Sequence, residues 1–372
     1  MKKFILLLFF FFLIPLPLFA QQIDIEEPVS SEVTAIVQSI FEEKLEPSEE
    51  AYQVIETRVL SEGDYQNSLL TIDSREGYLE GLRYVVKEGQ KVKLMITTVP
   101  GVDEPFVYLT DVVRLGGLVW LFILFVFVVL SIGSFRGFGA LIGLGAIGLV
   151  LFLYILPQIL KGADPIMTTI IGSSVILAFS IFGTHGCKRS TLGAFLGTIS
   201  GLILTGVLAL IFVKITQLTG LGGEEAALLQ LKAGIALNAK GLLLAAIILG
   251  TVGILDDVAI NQSEILSELK KSNPEMKSSE LFTRAMRIGR HHIASVVNTL
   301  VLAYAGASLP LLLLFVASEE NTSHLLNSEL ISEEIVRTLV GTIGLICTVP
   351  LATWFTVFIL SKQNLNKQEK PN

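Results

Sequence analysis

Two adjacent carboxylates, Asp256 and Asp257, follow directly on the apolar run 242–254. An ionisable side chain in a membrane helix costs free energy to insert, so it marks a functional site by default. Three further polar side chains continue from Asp257 with helical spacing, at Asn261, Glu264 and Glu268. Because residues at i, i+4, i+7 and i+11 share one helix face, the acids are expected to begin a polar stripe.

A second helical pattern returns toward an apolar segment after a break at 272–274. Its polar residues on a common face are Arg284, Arg287, His291, Ser295 and Asn298, with Arg290 beside them. The two stripes predict a cytoplasmic helical hairpin over residues 260–292, closed by ion pairs. Each exposed pair contributes at most about 1 kcal/mol. A pH-responsive role for His291 beside the carboxylates is a second interpretation.

Four side chains in this region are of types that bind metals: Asp257, Glu264, His291 and His292. Metal-ligand type alone is weak support, because these residues have none of the short spacings that mark a metal site. The sequence also has no Ser-His-Asp arrangement and no glycine-rich phosphate loop. We therefore expect no metal, no cofactor and no enzymatic activity.

The depth of the two acids follows from helix geometry. With Lys240 at the outer boundary, Asp256 and Asp257 lie about 24–26 Å further along a helix that rises about 1.5 Å per residue. The apolar core of a bilayer is about 30 Å thick, so the acids are expected near its inner face. That depth favours a gate or coupling joint over a binding site at the midplane. No charged residue lies well inside any other predicted span.

The composition indicates that these residues belong to a membrane protein. Of 372 residues, 52% are hydrophobic and 16% are charged, whereas soluble domains carry about 25% charged residues. Seven segments approach the roughly 20 residues that a crossing helix needs: 113–132, 138–157, 165–183, 190–213, 238–259, 293–316 and 336–360. The predicted fold is an α-helical polytopic membrane bundle of about seven spans, with a small exported all-β amino-terminal domain.

The chain divides into four predicted parts. Residues 1–22 are a signal sequence or an uncleaved anchor, and both alternatives stay open. Residues 24–112 contain short β-type runs separated by turns, which predicts an exported β-rich domain with a barrel or sandwich architecture. Residues 113–361 form the transmembrane helical domain, and residues 362–372 form a cytoplasmic tail.

The loop charges predict the orientation. The predicted inner loops and tail hold Arg136, Lys188, Arg189, Lys270, Lys271, Lys277, Arg284, Arg287, Arg290, Lys362, Lys367 and Lys370. The outer loops hold fewer cations, so the positive-inside rule places the β domain outside and the carboxyl terminus inside the cytoplasmic membrane. The lipid bilayer is the expected partner. No basic stripe suggests nucleic acid, and the two cysteines do not form a disulfide framework.

Glycines recur every four residues in the fourth predicted span, at Gly193, Gly197 and Gly201. Small residues on one face allow close approach of helices in lipid, so this stripe is expected to pack against another span.

Several blocks around the carboxylates resemble the YibE/F-like family of bacterial multipass membrane proteins. The matching residues are Gly253 to Ala259, Gly289-Arg290, Asn298-Thr299-Leu300, Leu302-Ala303-Tyr304, Gly306 and Ser308-Leu309-Pro310, and earlier Lys188 to Thr191, Ala194, Gly197-Thr198, Leu218 to Leu221 and Glu224-Glu225. The resemblance covers about residues 115–360. It implies an inner-membrane protein with an exported head and suggests a permease.

The sequence departs from that family pattern at two positions. Asp257 matches the family's acid before Val-Ala, whereas Asp256 stands at a position that is usually apolar. His291 stands where an acidic residue commonly follows the Gly-Arg pair. A weaker, topological likeness exists to half of a resistance-nodulation-division transporter, but no predicted span supplies the lysine that such a proton relay uses.

Two functions from different classes follow as hypotheses. The first is a permease or secondary transporter of an unknown small solute, coupled to protons through Asp257. Its supporting residues are Asp256, Asn261, Glu264 and Asn298, with Arg290 or His291 as the nearest cation. The second is a non-transporting sensor, scaffold or assembly partner that uses the exported head. A homo-oligomer or a related membrane subunit is a further expected partner.

Overall fold

The computed structural model places most of the chain in helices and describes two compact units. The units are Met1–Leu124 and Phe125–Asn372. The described residues are 29–44, 52–73, 85–99, 105–223, 228–229, 238–318 and 321–368. The segment 1–22, predicted as a signal sequence or anchor, lies outside them.

Five strands of the first unit form one antiparallel sheet. They are β1 (Val29–Lys44), β2 (Tyr52–Val59), β3 (Leu69–Asp73), β4 (Lys91–Thr98) and β5 (Phe106–Val112). Their order is β3-β2-β1-β4-β5, and the long β1 pairs with β4 through its first half and with β2 through its second. The edge strands β3 and β5 contact each other, so the sheet is curled. Within the described residues all strands share this sheet, so the sandwich alternative was wrong.

Alternation of side chains explains the core of the sheet. In β4, Val92, Leu94 and Ile96 are buried while Lys91 and Lys93 are exposed. Successive side chains of a strand point to opposite faces, so this period of two gives one apolar face.

The second part of the structure is helical. The helices are α1 (Leu115–Val150), continued by a π-helical turn (Leu151–Ile155) and α2 (Leu156–Leu160), then α3 (Pro165–His185), α4 (Arg189–Ile215), α5 (Ala239–Ser272), α6 (Ser278–Ala307), α7 (Leu309–Ala317), α8 (Thr322–Asn327) and α9 (Glu329–Gln368). The last helix therefore includes most of the segment predicted as a tail.

Local sequence signals account for the ends of several helices. α3 begins at Pro165, and the Asp164 Oδ1 accepts a hydrogen bond from the backbone N–H of Met167 at 2.8 Å. Proline suits a first helical position because the N–H it lacks would have no partner there. α5 ends at Ser272, immediately before the Asn-Pro pair that the sequence predicts as a break.

Six segments in the described residues are long and apolar enough to cross a membrane. They are Leu115–Phe135, Gly137–Leu160, Pro165–His185, Arg189–Ile215, Ala239–Ser272 and Glu329–Ser361. α6 and α7 make a seventh only as a broken span, since they are bent by 70°. The segment predicted as a span over 293–316 is therefore a bent pair of helices. Pro310 explains the break, because proline removes a backbone donor and disfavours a helical residue before it.

The spans differ in how far they are packed inside the chain. The most apolar window of α5 is 61% buried, the largest value among the six, whereas the window of Leu115–Phe135 is 0% buried. α5 is thus the central helix, and its contacts determine where the carboxylates lie.

The glycine stripe of α4 packs against α9. Gly193, Gly197 and Gly201 face Thr356, Ala352 and Thr348, in that order, and Thr205 faces Gly344. A Cβ added at any of these four glycines would overlap the opposite helix. The small residues therefore allow two antiparallel helices to approach closely.

Candidate functional site

Asp256 lies at the contact between α5 and α3. Its Oδ2 accepts a hydrogen bond from the Ser180 hydroxyl at 2.5 Å, while its Oδ1 is buried without a hydrogen-bond partner. Apolar packing fixes this register, because Leu177 and Ile181 of α3 belong to the same buried cluster as Leu255 of α5. A buried acceptor without a partner is rare in folded proteins and calls for an explanation such as water, an ion or a proton.

Asp257 lies beside it at the wall of the same cavity but is exposed. Its Oδ1 accepts a hydrogen bond from the Asn261 amide at 3.2 Å. The cavity has a volume of about 420 Å³ and is open on one side. Besides the two acids it is lined by residues that include Val129, Gly143, Ser180, Thr184, Gly253 and Ile260.

A second ionisable pair continues from this cavity along α5. The His185 Nδ1 lies 3.3 Å from the Glu264 Oε1, and both side chains are partly or largely exposed. His185 and Ile260 also line a second cavity, of about 390 Å³. His185 thus lies at the wall of the cavity that Asp256 also lines. Carboxylate, imidazole and carboxylate therefore follow one another on one side of α5.

This arrangement has the parts that proton or cation movement requires. Histidine titrates nearer to neutral pH than any other side chain. Paired acids and histidines that face cavities in membrane proteins commonly form proton relays. Asp256, His185 and Glu264 supply such groups in series, and the cavities give them access from outside the packed core.

The structure does not bring the predicted residues of α6 to the acids. Arg290, His291 and Asn298 are exposed. Within the described residues, no hydrogen bond or ion pair joins any of them to Asp256 or Asp257. The nearest-cation role of Arg290 or His291 stays a prediction, whereas His185 lines the same cavity as both acids.

The predicted ion-pair zipper between the two stripes was also wrong. Glu264 pairs with His185, Glu268 with Lys271 at 2.6 Å, and Arg284 with Glu280 at 2.6 Å. The hairpin of α5 and α6 is closed by apolar contacts instead. They involve Leu266, Met276, Leu281 and Ala285, and the Gln262 amide adds a hydrogen bond to the Ala285 carbonyl at 3.0 Å. Gly289 of α6 lies against the Gln262 side chain of α5, while Arg284, Arg287 and His291 are exposed.

The four residues weighed as metal ligands do not form a cluster. Among the described residues, no group of three or more His, Cys, Asp or Glu side chains is arranged to hold a metal ion.

A polar clamp at the start of α9 was not foreseen. Glu329 accepts hydrogen bonds from the hydroxyl and N–H of Thr219 and, at 2.9 Å, from the N–H of Gly220. Glu333 is buried and accepts from the N–H of Gly222 at 3.2 Å. These bonds attach the loop after α4 to α9.

Charged residues also continue further into α9. The Arg337 guanidinium pairs with Glu334 at 2.5 Å. Arg337 Nε and the Tyr304 hydroxyl are buried without hydrogen-bond partners in the described residues. The sequence predicted this span from residue 336, whereas α9 begins at Glu329. These charges lie in the first three turns of α9, at or before the start of the predicted span, so none lies well inside it.

Ser180 and His185 were the two site residues that the sequence did not identify. A serine inside an apolar span is common, and a histidine just after one resembles an ordinary helix end. Their role depends on which residues of α3 face α5, and spacing within one helix does not give that register.

The fold and the site define a multipass helical membrane protein whose most buried span carries a polar, cavity-lining face. Residues 121–362 match the family described as YibE/F-like protein, and the chain belongs to that family. The resemblance noted in the sequence is thereby confirmed. No curated protein and no solved structure matches the chain.

Proposed function

We propose that this protein is a permease or secondary transporter of a small solute, coupled to protons through the Asp256–Asp257 pair. The observation that supports it is the buried Asp256 Oδ1, which has no hydrogen-bond partner and belongs to a carboxylate at a cavity wall. Such an oxygen is suited to exchange a proton with water in the cavity. The proposal gives Asp256 the central role and Asp257 an auxiliary one, because Asp257 is exposed.

The proposal includes a membrane orientation. It assigns seven spans, with α6 and α7 as one broken span, to the cytoplasmic membrane of a bacterium. The β domain lies outside and the carboxyl terminus inside. The excess of Lys and Arg in the predicted inner loops supports this orientation. The broken span supports transport, because discontinuous helices commonly form binding sites in transporters.

The test uses purified protein in liposomes that contain a pH-sensitive dye, with a panel of candidate solutes outside. We expect wild-type protein to give a dye response to at least one solute. Asp256→Asn, which keeps the shape of the side chain and removes the charge, is expected to reduce that response to background. Asp257→Asn is expected to reduce it in part.

Glu280→Gln is the matched control, because Glu280 is exposed, pairs with Arg284 on α6 and lines neither of the two cavities. Full responses from both Asp variants would remove the coupling role of the pair. A wild-type protein that responds to no solute would favour a non-transporting protein.

A non-transporting assembly module is the second candidate. It is favoured by the first span, Leu115–Phe135, whose most apolar window is 0% buried inside the chain. Deletion of residues 24–112 separates the two candidates. If the helical domain alone still moves solute across liposomes, the module hypothesis fails.

A further inference from the structure

The amino-terminal end of α4 lies at the second cavity, which shares His185 and Ile260 with the Asp256 cavity. The cavity has a volume of about 390 Å³. The lining residues that matter here are His185, Lys188, Ser190, Thr191, Glu264 and Lys271. The block Lys188 to Thr191 is part of the family resemblance, and the coupling role gives it no function.

The helix end offers unpaired donors to this cavity. α4 has 27 residues, and its N-cap Lys188 makes no side-chain capping hydrogen bond. The first N–H groups of a helix have no intrahelical partners. Together with the helix dipole they form a natural site for an anion.

Thr191 provides an independent indication of a ligand. It is 3% exposed and lines the cavity, yet its hydroxyl has no hydrogen-bond partner in the described residues. Thr198 and Thr205 on the same helix instead donate to carbonyl oxygens four residues earlier, at 3.0 and 2.8 Å. The residue four before Thr191 precedes the helix, so the hydroxyl of Thr191 lacks this internal acceptor.

The cavity lining holds two lysines and two carboxylates besides His185. Glu268 is neutralised by Lys271 at 2.6 Å, and Glu264 lies 3.3 Å from His185. Lys188 takes part in no ion pair within the described residues. The positive charge without a partner is therefore on Lys188, next to the positive end of the helix dipole.

We propose that this cavity binds a phosphate group. The Ser190 and Thr191 N–H groups and the Thr191 hydroxyl donate hydrogen bonds to its oxygens, and Lys188 balances its charge. Several donors converging on one point match a group with several acceptor oxygens. Free phosphate and the phosphate monoester of phosphatidic acid share this chemistry. The proposal concerns binding alone and does not depend on transport.

The test measures ligand-dependent thermal unfolding of the purified full chain in detergent. One series is titrated with inorganic phosphate, a second with short-chain phosphatidic acid and a third with phosphatidylcholine of the same chain length. We expect a saturable rise of the unfolding midpoint with at least one of the first two and none with the third. Lys188→Gln and Thr191→Val are each expected to weaken apparent affinity about tenfold.

Two variants on the same helix are the controls. Lys214→Gln removes a charge from the last turn of α4, and Thr198→Val removes a hydroxyl that already has an internal acceptor. Both should leave the apparent affinity unchanged. If Lys188→Gln does not fold, the comparison of Thr191→Val with Thr198→Val tests the site by itself.

The outcomes are distinguishable. A response to inorganic phosphate identifies a free phosphate group as sufficient, and a response to phosphatidic acid alone identifies a lipid head group. Either supports the site. The absence of a saturable response to both ligands, or equal weakening by Lys188→Gln and Lys214→Gln, would overturn it.

Discussion

The interface between α4 and α9 and the interface between α3 and α5 use hydroxyl groups in opposite ways. In the first, Thr205 and Thr348 donate to carbonyl oxygens of their own helices at 2.8 Å, and each packs against a glycine. In the second, the Ser180 hydroxyl crosses to Asp256, and a cavity lies beside the bond. In the first interface Thr205 and Thr348 are satisfied within their own helices, although the Thr356 hydroxyl beside Gly193 is buried without a partner. The second interface depends on a carboxylate and its surroundings.

The two sides of the helical bundle differ in packing density and in ionisable groups. α4 and α9 are close-packed along their glycines, where added atoms have no space. The side of α5 that faces α3 and α1 is less tightly packed and holds the ionisable groups. We expect conformational change to occur on that side.

The largest predicted effect is the loss of the close-packed interface. In Gly197→Leu the new side chain would overlap the backbone of Ala352, so α4 and α9 must separate. Overpacking a core costs about 1–3 kcal/mol or more, and we expect little monodisperse protein in size-exclusion chromatography. Gly145→Leu is the control, because no atom lies within 4 Å of a Cβ at that position. Normal yield from Gly197→Leu would contradict the packing.

The next prediction concerns the bond from Ser180. Ser180→Ala removes the hydrogen bond to Asp256, and bonds to charged groups contribute roughly 1.5–3 kcal/mol. We expect the solute-driven dye response to fall about tenfold, because about 1.4 kcal/mol corresponds to a factor of ten. Ser174→Ala is the control, since the Ser174 hydroxyl donates to the Ile170 carbonyl within α3. Equal dye responses from the two variants would show that the Ser180 hydrogen bond has no role in coupling.

The sequence predicted what local chemistry determines. The start of α3 at Pro165 and the end of α5 at Ser272 follow from proline and capping signals. Five strands lie within the segment 24–112 predicted as β-rich, because side-chain alternation and turn residues mark it. The glycine spacing at 193, 197 and 201 pointed to close packing, although it did not identify α9 as the partner.

The parts that the sequence did not predict depend on contacts between helices. His185 and Glu264 are 79 positions apart, and their pairing follows from the rotation of α3 against α5. Arg290 and His291 belong to the helix that returns toward the acids, yet their side chains are exposed. Helical spacing gives the residues of one face, but it does not say which neighbour that face meets.

A smaller effect is expected at the pair of His185 and Glu264. The two side chains are 33% and 61% exposed, so a double-mutant cycle of His185→Gln and Glu264→Gln should give a coupling energy below about 1 kcal/mol. The cycle is measured by thermal unfolding in detergent at neutral and acidic pH. A coupling well above that value would mean that the pair is a structural element of the bundle.

The smallest effect is expected in the β domain. The Val112 N–H, followed by the Arg114 guanidinium, holds the pKa of Asp111 below its usual range. A carboxyl with a lowered folded pKa stabilises the fold above its unfolded pKa of about 3.9, and this contribution disappears as the pH falls through the folded pKa. Asp111→Asn should therefore lower hydrogen-exchange protection of β5 slightly at pH 7. The difference from wild type should vanish in strong acid, and its persistence there would contradict the assignment.

Water access to the Asp256 side of α5 is the most direct test of this comparison. In protein with both native cysteines replaced, Gly253→Cys lies at the cavity wall, and Thr251→Cys replaces a residue that is 1% exposed and packs against Gly341 of α9. A polar, membrane-impermeant maleimide added on both sides of proteoliposomes should label the first and leave the second unlabelled. If the polar reagent labels neither, while lipid-soluble N-ethylmaleimide labels Gly253→Cys, lipid fills the cavity and the account of a water-lined coupling site is wrong.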